Sequence, residues 1–171
     1  MEIDVTNAPV FEDFAVGQAI GPIRKGRITT AHIMRWSASV ENWHRIHYDQ
    51  AFATGHDGLP GVVINGSWKQ HILVQLMKDT LGPRGWLWKI KFRYRKLDVA
   101  GEPITALGEV TDTTERDGLG FITCRIRLEV DDGGLSTDGY ALGVLPLRGG
   151  AEVPYPFVPA PSQASLSLPA E

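Results

Sequence analysis

The stretch Asn65-Gly66-Ser67-Trp68-Lys69-Gln70-His71-Ile72-Leu73-Val74-Gln75-Leu76-Met77-Lys78-Asp79-Thr80-Leu81-Gly82-Pro83, with Trp86-Leu87-Trp88-Lys89-Ile90-Lys91-Phe92-Arg93-Tyr94 close behind it, decides the fold. In its first part Trp68, Ile72, Leu73, Leu76 and Met77 fall on one broad face and Leu81 continues it, which is helical spacing. Asn65-Gly66-Ser67 opens this helix and Gly82-Pro83 stops it. Such an apolar face predicts a helix packed deep against a sheet. From Trp86 the helical period gives way to strict alternation. Trp86, Trp88, Ile90, Phe92 and Tyr94 alternate with Leu87, Lys89, Lys91, Arg93 and Arg95, which predicts a strand with one aromatic, buried face and one cationic face.

The alternation returns three times downstream. Ile104, Ala106, Gly108 and Val110 form a second strand, and a turn over residues 115–118 leads to a third through Ile122, Cys124, Ile126, Leu128 and Val130. A turn over residues 131–134 leads to a fourth, with Tyr140, Leu142 and Val144 on one side. These four read as an antiparallel meander of neighbouring strands. One long buried helix followed by a curling antiparallel sheet is an α+β architecture.

Upstream the signals are shorter. Residues 1–10 show no strong periodicity, and Phe11 to Pro22 reads as short extended pieces and turns. Residues 23–28 suit an edge strand, because basic side chains tolerate an exposed rim. Thr30 is the expected N-cap of a helix carrying Ile33, Trp36 and Val40. Residues 48–53 suit a short helical turn ended by Gly55, ahead of a loop over 58–61 and the apolar run Val62-Val63-Ile64. From Pro146 onward six of the eleven prolines mix with Ser and Ala, so residues 146–171 read as an extended or disordered tail. Residues 1–145 form one domain, within the size a single core supports.

Composition narrows the class. Hydrophobic residues make up 43% and charged residues 22%, ordinary values for a globular domain. A net charge of −3 argues against bulk attraction to nucleic acid or membrane. The single cysteine, Cys124, has no internal disulfide partner, and neither a signal peptide nor a bilayer-spanning run is evident, so a cytoplasmic location is expected.

Proton-transfer chemistry concentrates in Glu41-Asn42-Trp43-His44-Arg45-Ile46-His47-Tyr48-Asp49. Histidine titrates unperturbed near neutral pH, and two stand here among an amide, a guanidinium and carboxylates. Residues five apart diverge on a helix and on a strand alike, so Asn42 and His47 serve one site only if a turn folds the chain between them. No metal is expected, since neither Cys nor a third histidine stands nearby at ligand spacing.

With Phe11-Glu12-Asp13-Phe14-Ala15-Val16-Gly17, the histidine stretch, Asn65-Gly66 opening a helix, and Phe92 through Gly101-Glu102-Pro103-Ile104 in this order, the chain resembles the MaoC-like dehydratases. These include (R)-specific enoyl-CoA hydratases and have the hot-dog fold, a sheet wrapped around a central helix. The resemblance covers roughly residues 11–145. The phrase at 42–49 is most similar to the branch of 3-hydroxyacyl-thioester dehydratases and mesaconyl-CoA-type hydratases.

The resemblance implies reversible hydration of a 2-enoyl thioester carried by coenzyme A or acyl carrier protein, with no cofactor. It implies His47 as the proton carrier and the Gly66 N–H as stabiliser of the thioester oxygen. Asn42 occupies the position where the broad family has a catalytic Asp, and His44 the position of an intervening Asn. An amide orients a water but accepts no proton from it, so Asn42 is assigned to holding water or the imidazole. His44 is either a second proton carrier or structural. Trp43, Ser67 and Arg93 are the expected substrate-binding residues, Arg93 through the coenzyme phosphates. Assembly is expected as a homodimer or as a heterodimer with a homologous hot-dog chain. Two alternatives stay open: a half-catalytic or non-catalytic subunit of a heteromeric dehydratase, and a hot-dog thioesterase drawing on Glu41 or Asp49.

Overall fold

The computed structural model describes residues 7–130 and 134–170. Strand β1 (Ala19–Arg27), helix α1 (Thr30–Ser39), helix α2 (Gly66–Leu81) and strands β2 (Trp86–Tyr94), β3 (Pro103–Arg116), β4 (Leu119–Val130) and β5 (Gly134–Pro146) follow in chain order. The strands form one antiparallel sheet in the order β1-β3-β4-β5-β2. Apart from Gly134, the turn expected over 131–134 lies outside the described residues. The β3–β4 hairpin turns through Asp117 (φ 53°) and Gly118 (φ 74°), two left-handed residues whose twist matches that of the flanking strands.

The sheet curls around α2, whose Ile72, Leu73, Leu76 and Met77 are completely buried against Ile122, Cys124 and Ile126 of β4 and neighbouring residues. Each such aliphatic side chain contributes about 1.5–3 kcal/mol when fully buried. At position 143 of β5 any Cβ would collide with Leu81, so Gly143 is what lets the end of α2 meet the sheet. Burial pushes the Cys124 thiol up to about 12, which leaves it an inert core residue. No helix among the described residues is long and apolar enough to cross a membrane.

Five expectations need correction. The meander is limited to β3, β4 and β5, because β2 pairs with β5 rather than with β3. The connection after β2 is tied elsewhere: Ile64 N–H donates to Asp98 O (2.8 Å), Ala100 N–H to Val62 O (2.8 Å) and Gly101 N–H to Ile28 O (2.7 Å). Those bonds carry the chain to the far edge, beside β1.

The aromatic residues of β2 do not share one face. A register shift between Leu87 and Lys89 inserts a bulge, so Leu87, Ile90 and Phe92 pack toward α2 while Trp86 and Trp88 point to the outer face. There they meet Phe121, Leu142 and Val144.

The tail, expected to be extended or disordered, is docked and carries a hydrogen-bonded turn over residues 161–165. Phe157 and Gln163 are buried, and Val153, Leu166 and Leu168 pack on the outer aromatic cluster. Lys89 Nζ donates to Leu166 O (2.6 Å), and the Arg116 guanidinium donates to Ser162 O (2.9 Å). The prolines keep the segment out of long helices and central strands, yet leave its apolar side chains free to cover a surface.

Local starts and stops also shift. The α1 N-cap is Thr29, whose hydroxyl accepts from His32 N–H (3.3 Å) while its own N–H donates to His32 Nδ1 (3.1 Å). The short helical turn after Asp49 continues as a π turn, Phe52–His56, past Gly55.

Candidate active site

A tight turn after α1 does fold the histidine stretch back on itself. Glu41 is left-handed (φ 53°), and Asn42 N–H donates to Ser37 O (2.9 Å). The Asn42 Oδ1 accepts from His44 N–H (3.2 Å), so the amide braces the turn that leads to the histidines. His44 then caps a short 3₁₀ turn, Arg45–His47.

Val63 pins this turn from the other side. Its N–H donates to Ile46 O (2.9 Å), and its carbonyl lies 2.8 Å from His47 Nδ1. A carbonyl only accepts, so His47 carries its proton on Nδ1 and keeps the Nε2 lone pair. His47 is 8% exposed. Burial pushes its pKa below the usual histidine value; the Val63 bond opposes this, and a charge on His44 would add to it. A neutral imidazole with an uncommitted Nε2 is a competent general base at neutral pH.

The two imidazoles lie edge to face with centroids 6.2 Å apart. His44 is exposed, and its Nδ1 accepts weakly from Ile46 N–H (3.4 Å). Asp49 is committed: the Phe52 N–H, then Arg45 at 2.7 Å, hold its carboxyl below the usual carboxylate range. Arg45 also lies 4.3 Å over the Phe52 ring, so it serves the turn.

Ser37 joins the stretch to the start of α2. Its hydroxyl lies 3.2 Å from Asn65 Oδ1 and 3.0 Å from Asn65 Nδ2, both side chains fully buried. Gly66 follows as the first residue of α2. Its N–H is one of the donors a helix leaves without an internal partner, at the positive end of the dipole. Ser67 Oγ accepts from Trp36 Nε1 (2.9 Å), which ties α1 to α2.

Trp43 is 58% exposed, and its carbonyl accepts from Tyr48 OH (3.0 Å). Arg93 is not brought to this group. Phe92 packs toward α2 and Tyr94 lies against Gly66, so Arg93 between them takes the outer face, opposite Asp138 of β5. Ser37 and Tyr94 are site neighbours that the sequence reading missed, because each reaches the start of α2 from a distant part of the chain with no local motif; the sequence marks Asn65 only as the opening of the helix, not as the partner of Ser37. Among the described residues no cluster of His, Cys, Asp or Glu is arranged to hold a metal ion.

Comparison with solved structures places the architecture. An (R)-hydratase from A. caviae involved in PHA biosynthesis superposes with a TM-score of 0.70 at 24% identity, over 79% of this chain and 99% of that one. A MaoC-like dehydratase from Rhodospirillum rubrum gives a TM-score of 0.70 at 19% identity, over 82% and 98%. The ChsH1-ChsH2 complex from Mycobacterium tuberculosis gives 0.66 at 18% identity, over 77% and 98%. The molecule therefore has the α+β hot-dog fold. The family model Htd2, hydroxyacyl-thioester dehydratase type 2, matches residues 17–102, half of the chain. The chain belongs to that hydroxyacyl-thioester dehydratase family. No curated protein matches it in sequence.

Proposed function

We propose that this chain catalyses the reversible hydration of 2-enoyl thioesters, and equally the dehydration of 3-hydroxyacyl thioesters, carried on coenzyme A or acyl carrier protein. The observation that carries the reading is the His47–Val63 bond, which fixes the imidazole with its basic nitrogen uncommitted. Family membership supplies the reaction class.

In hydration, His47 Nε2 takes a proton from water as the water oxygen bonds to C3. The alkene electron pair moves toward the thioester carbonyl, and its oxygen becomes an enolate. The Gly66 N–H stabilises that charge at the positive end of α2. The imidazolium then returns its proton to C2, which completes the addition and restores the carbonyl. Asn42 supports this by bracing the turn that carries both histidines, and Trp43 borders the acyl group. No cofactor is required, because the thioester itself accepts the electron pair. A cytoplasmic location accords with a free buried thiol.

Assembly belongs to the same proposal. Strands β1 and β2 are sheet edges, and pairing with a second hot-dog chain, identical or homologous, would cover one of them. The second reading, a subunit needing a catalytic homologue, is favoured by the amide at Asn42 and by a neighbour solved as the ChsH1-ChsH2 complex. A thioesterase draws less support, since Asp49 is already bonded to Arg45 and Phe52.

The test is the purified chain alone with crotonyl-CoA and longer enoyl-CoAs, followed by loss of the conjugated absorbance. Hydration by the single chain supports the proposal. Turnover only after adding a homologous partner, and unaffected by His47→Ala, would assign the chemistry to the partner.

A further inference from the structure

The first turn of α2 is held by groups that the proposed chemistry does not use. Lys69, on that turn, is buried with a 4% exposed side chain, against an Asp98 side chain that is 0% exposed. Lys69 Nζ donates to Asp98 Oδ2 (2.7 Å) and to Lys96 O (3.0 Å). Ser136 of β5 donates its hydroxyl to the same Asp98 Oδ2 (2.5 Å). The other oxygen, Asp98 Oδ1, has no hydrogen bond among the described residues and faces the Lys96 ammonium at 3.7 Å. An ammonium near the positive end of a helix dipole is poorly placed for the helix itself. Its burial there needs another reason.

Tyr94 supplies one. Lys69 Nζ lies 5.0 Å from the centre of the Tyr94 ring, within cation–π range. The Tyr94 hydroxyl donates to Gly66 O (2.7 Å). A Cβ built on Gly66 would stand 3.0 Å from both Cζ and the hydroxyl oxygen of Tyr94, so the ring lies against the glycine. Glycine leaves the peptide planes on either side of it freer than any other residue does. A donor whose aim matters, set on such a residue, needs an outside clamp.

We propose that Tyr94, a half-exposed ring seated on Lys69 of the Lys69–Asp98–Ser136 cluster, is a positioning residue: its hydroxyl holds the Gly66–Ser67 peptide plane and its ring lies against the glycine, and together they aim the Gly66 N–H at the thioester oxygen. This rests on the reading of Gly66 as the oxyanion donor. It gives the glycine a second role, clearance for the Tyr94 ring, beside close approach of substrate.

Tyr94→Phe removes only the hydroxyl. In the full chain, kcat for crotonyl-CoA hydration is expected to fall roughly tenfold while KM stays within about twofold. Amide exchange at Trp68 and Lys69, whose N–H groups bond to Asn65 O, is expected to quicken roughly three- to tenfold, with β4 amides unchanged. Wild-type kcat and wild-type exchange in Tyr94→Phe would overturn the clamp. A double-mutant cycle gives an independent check: Gly66→Ala should cost less kcat in a Tyr94→Ala background than alone, and equal costs would count against the clamp. If the wild-type chain hydrates no thioester, the exchange measurement decides the clamp on its own, and the functional reading fails separately.

Discussion

Val63, three residues before Gly66, and Lys69, three residues after it, each anchor a buried polar group at the start of α2, and the two groups are opposites. His47 on Val63 is neutral, makes one strong side-chain bond, and leaves Nε2 outside every hydrogen bond among the described residues. Lys69 is charged, paired, and closed off by Asp98, Lys96 and the Tyr94 ring. Burial weakens the proton affinity of the first and would heavily penalise the second without its partner. The difference separates a group poised to move a proton from a group that holds structure, although both look like buried titratable residues.

The largest effect should come from breaking the closed site. Lys69→Met leaves the Asp98 carboxylate buried without its main cation, and a loss of about 3–5 kcal/mol in urea unfolding is expected. Adding Asp98→Leu should recover most of that loss, because an apolar pair carries no desolvation penalty. A single variant that stays as stable as wild type would show that the pair is not closed as described.

Removing residues 150–171 calibrates the comparison, since it strips the outer aromatic cluster and leaves both polar sites intact. The deletion takes away Phe157, Leu166 and Leu168 and should cost about 2–4 kcal/mol. Between pH 7.5 and 5.5 its pH dependence should match that of the full chain, since the depressed carboxyl it removes, Glu152 on Arg84, titrates below that range. Unchanged stability would mean that the tail contributes no net burial.

A smaller effect reads the open site. Because the folded His47 pKa lies below the unfolded value, the unfolded chain takes up a proton near pH 6.5 that the folded chain refuses. His47 therefore costs no stability above that pH, and its contribution declines as pH falls from there toward the folded value. Urea midpoints between pH 7.5 and 5.5 should drop, and His47→Gln should flatten that part of the drop. Asp138 and Asp49, with depressed pKa values, lose their contribution only at lower pH, below the usual carboxylate range.

These sites were unequally legible in the sequence. The change of period at Trp86 marks the helix-and-sheet core, and the density of titratable groups marks His47. The bulge at Trp88 escaped because aromatic residues on both sides of the slip mimic unbroken alternation. The docked tail escaped because its apolar residues follow no period. The Ser37–Asn65 and Lys69–Asp98 pairs are 28 and 29 residues apart, and nothing in local composition links such partners.

In the proposed reaction His47, rather than its exposed neighbour His44, carries the proton. The direct measurement is the initial rate of crotonyl-CoA hydration by His47→Ala and His44→Ala, with each fold checked by circular dichroism. A loss on the order of 10²-fold or more is expected for His47→Ala and a loss within about threefold for His44→Ala. A folded His47→Ala that retains the wild-type rate would contradict that role for His47.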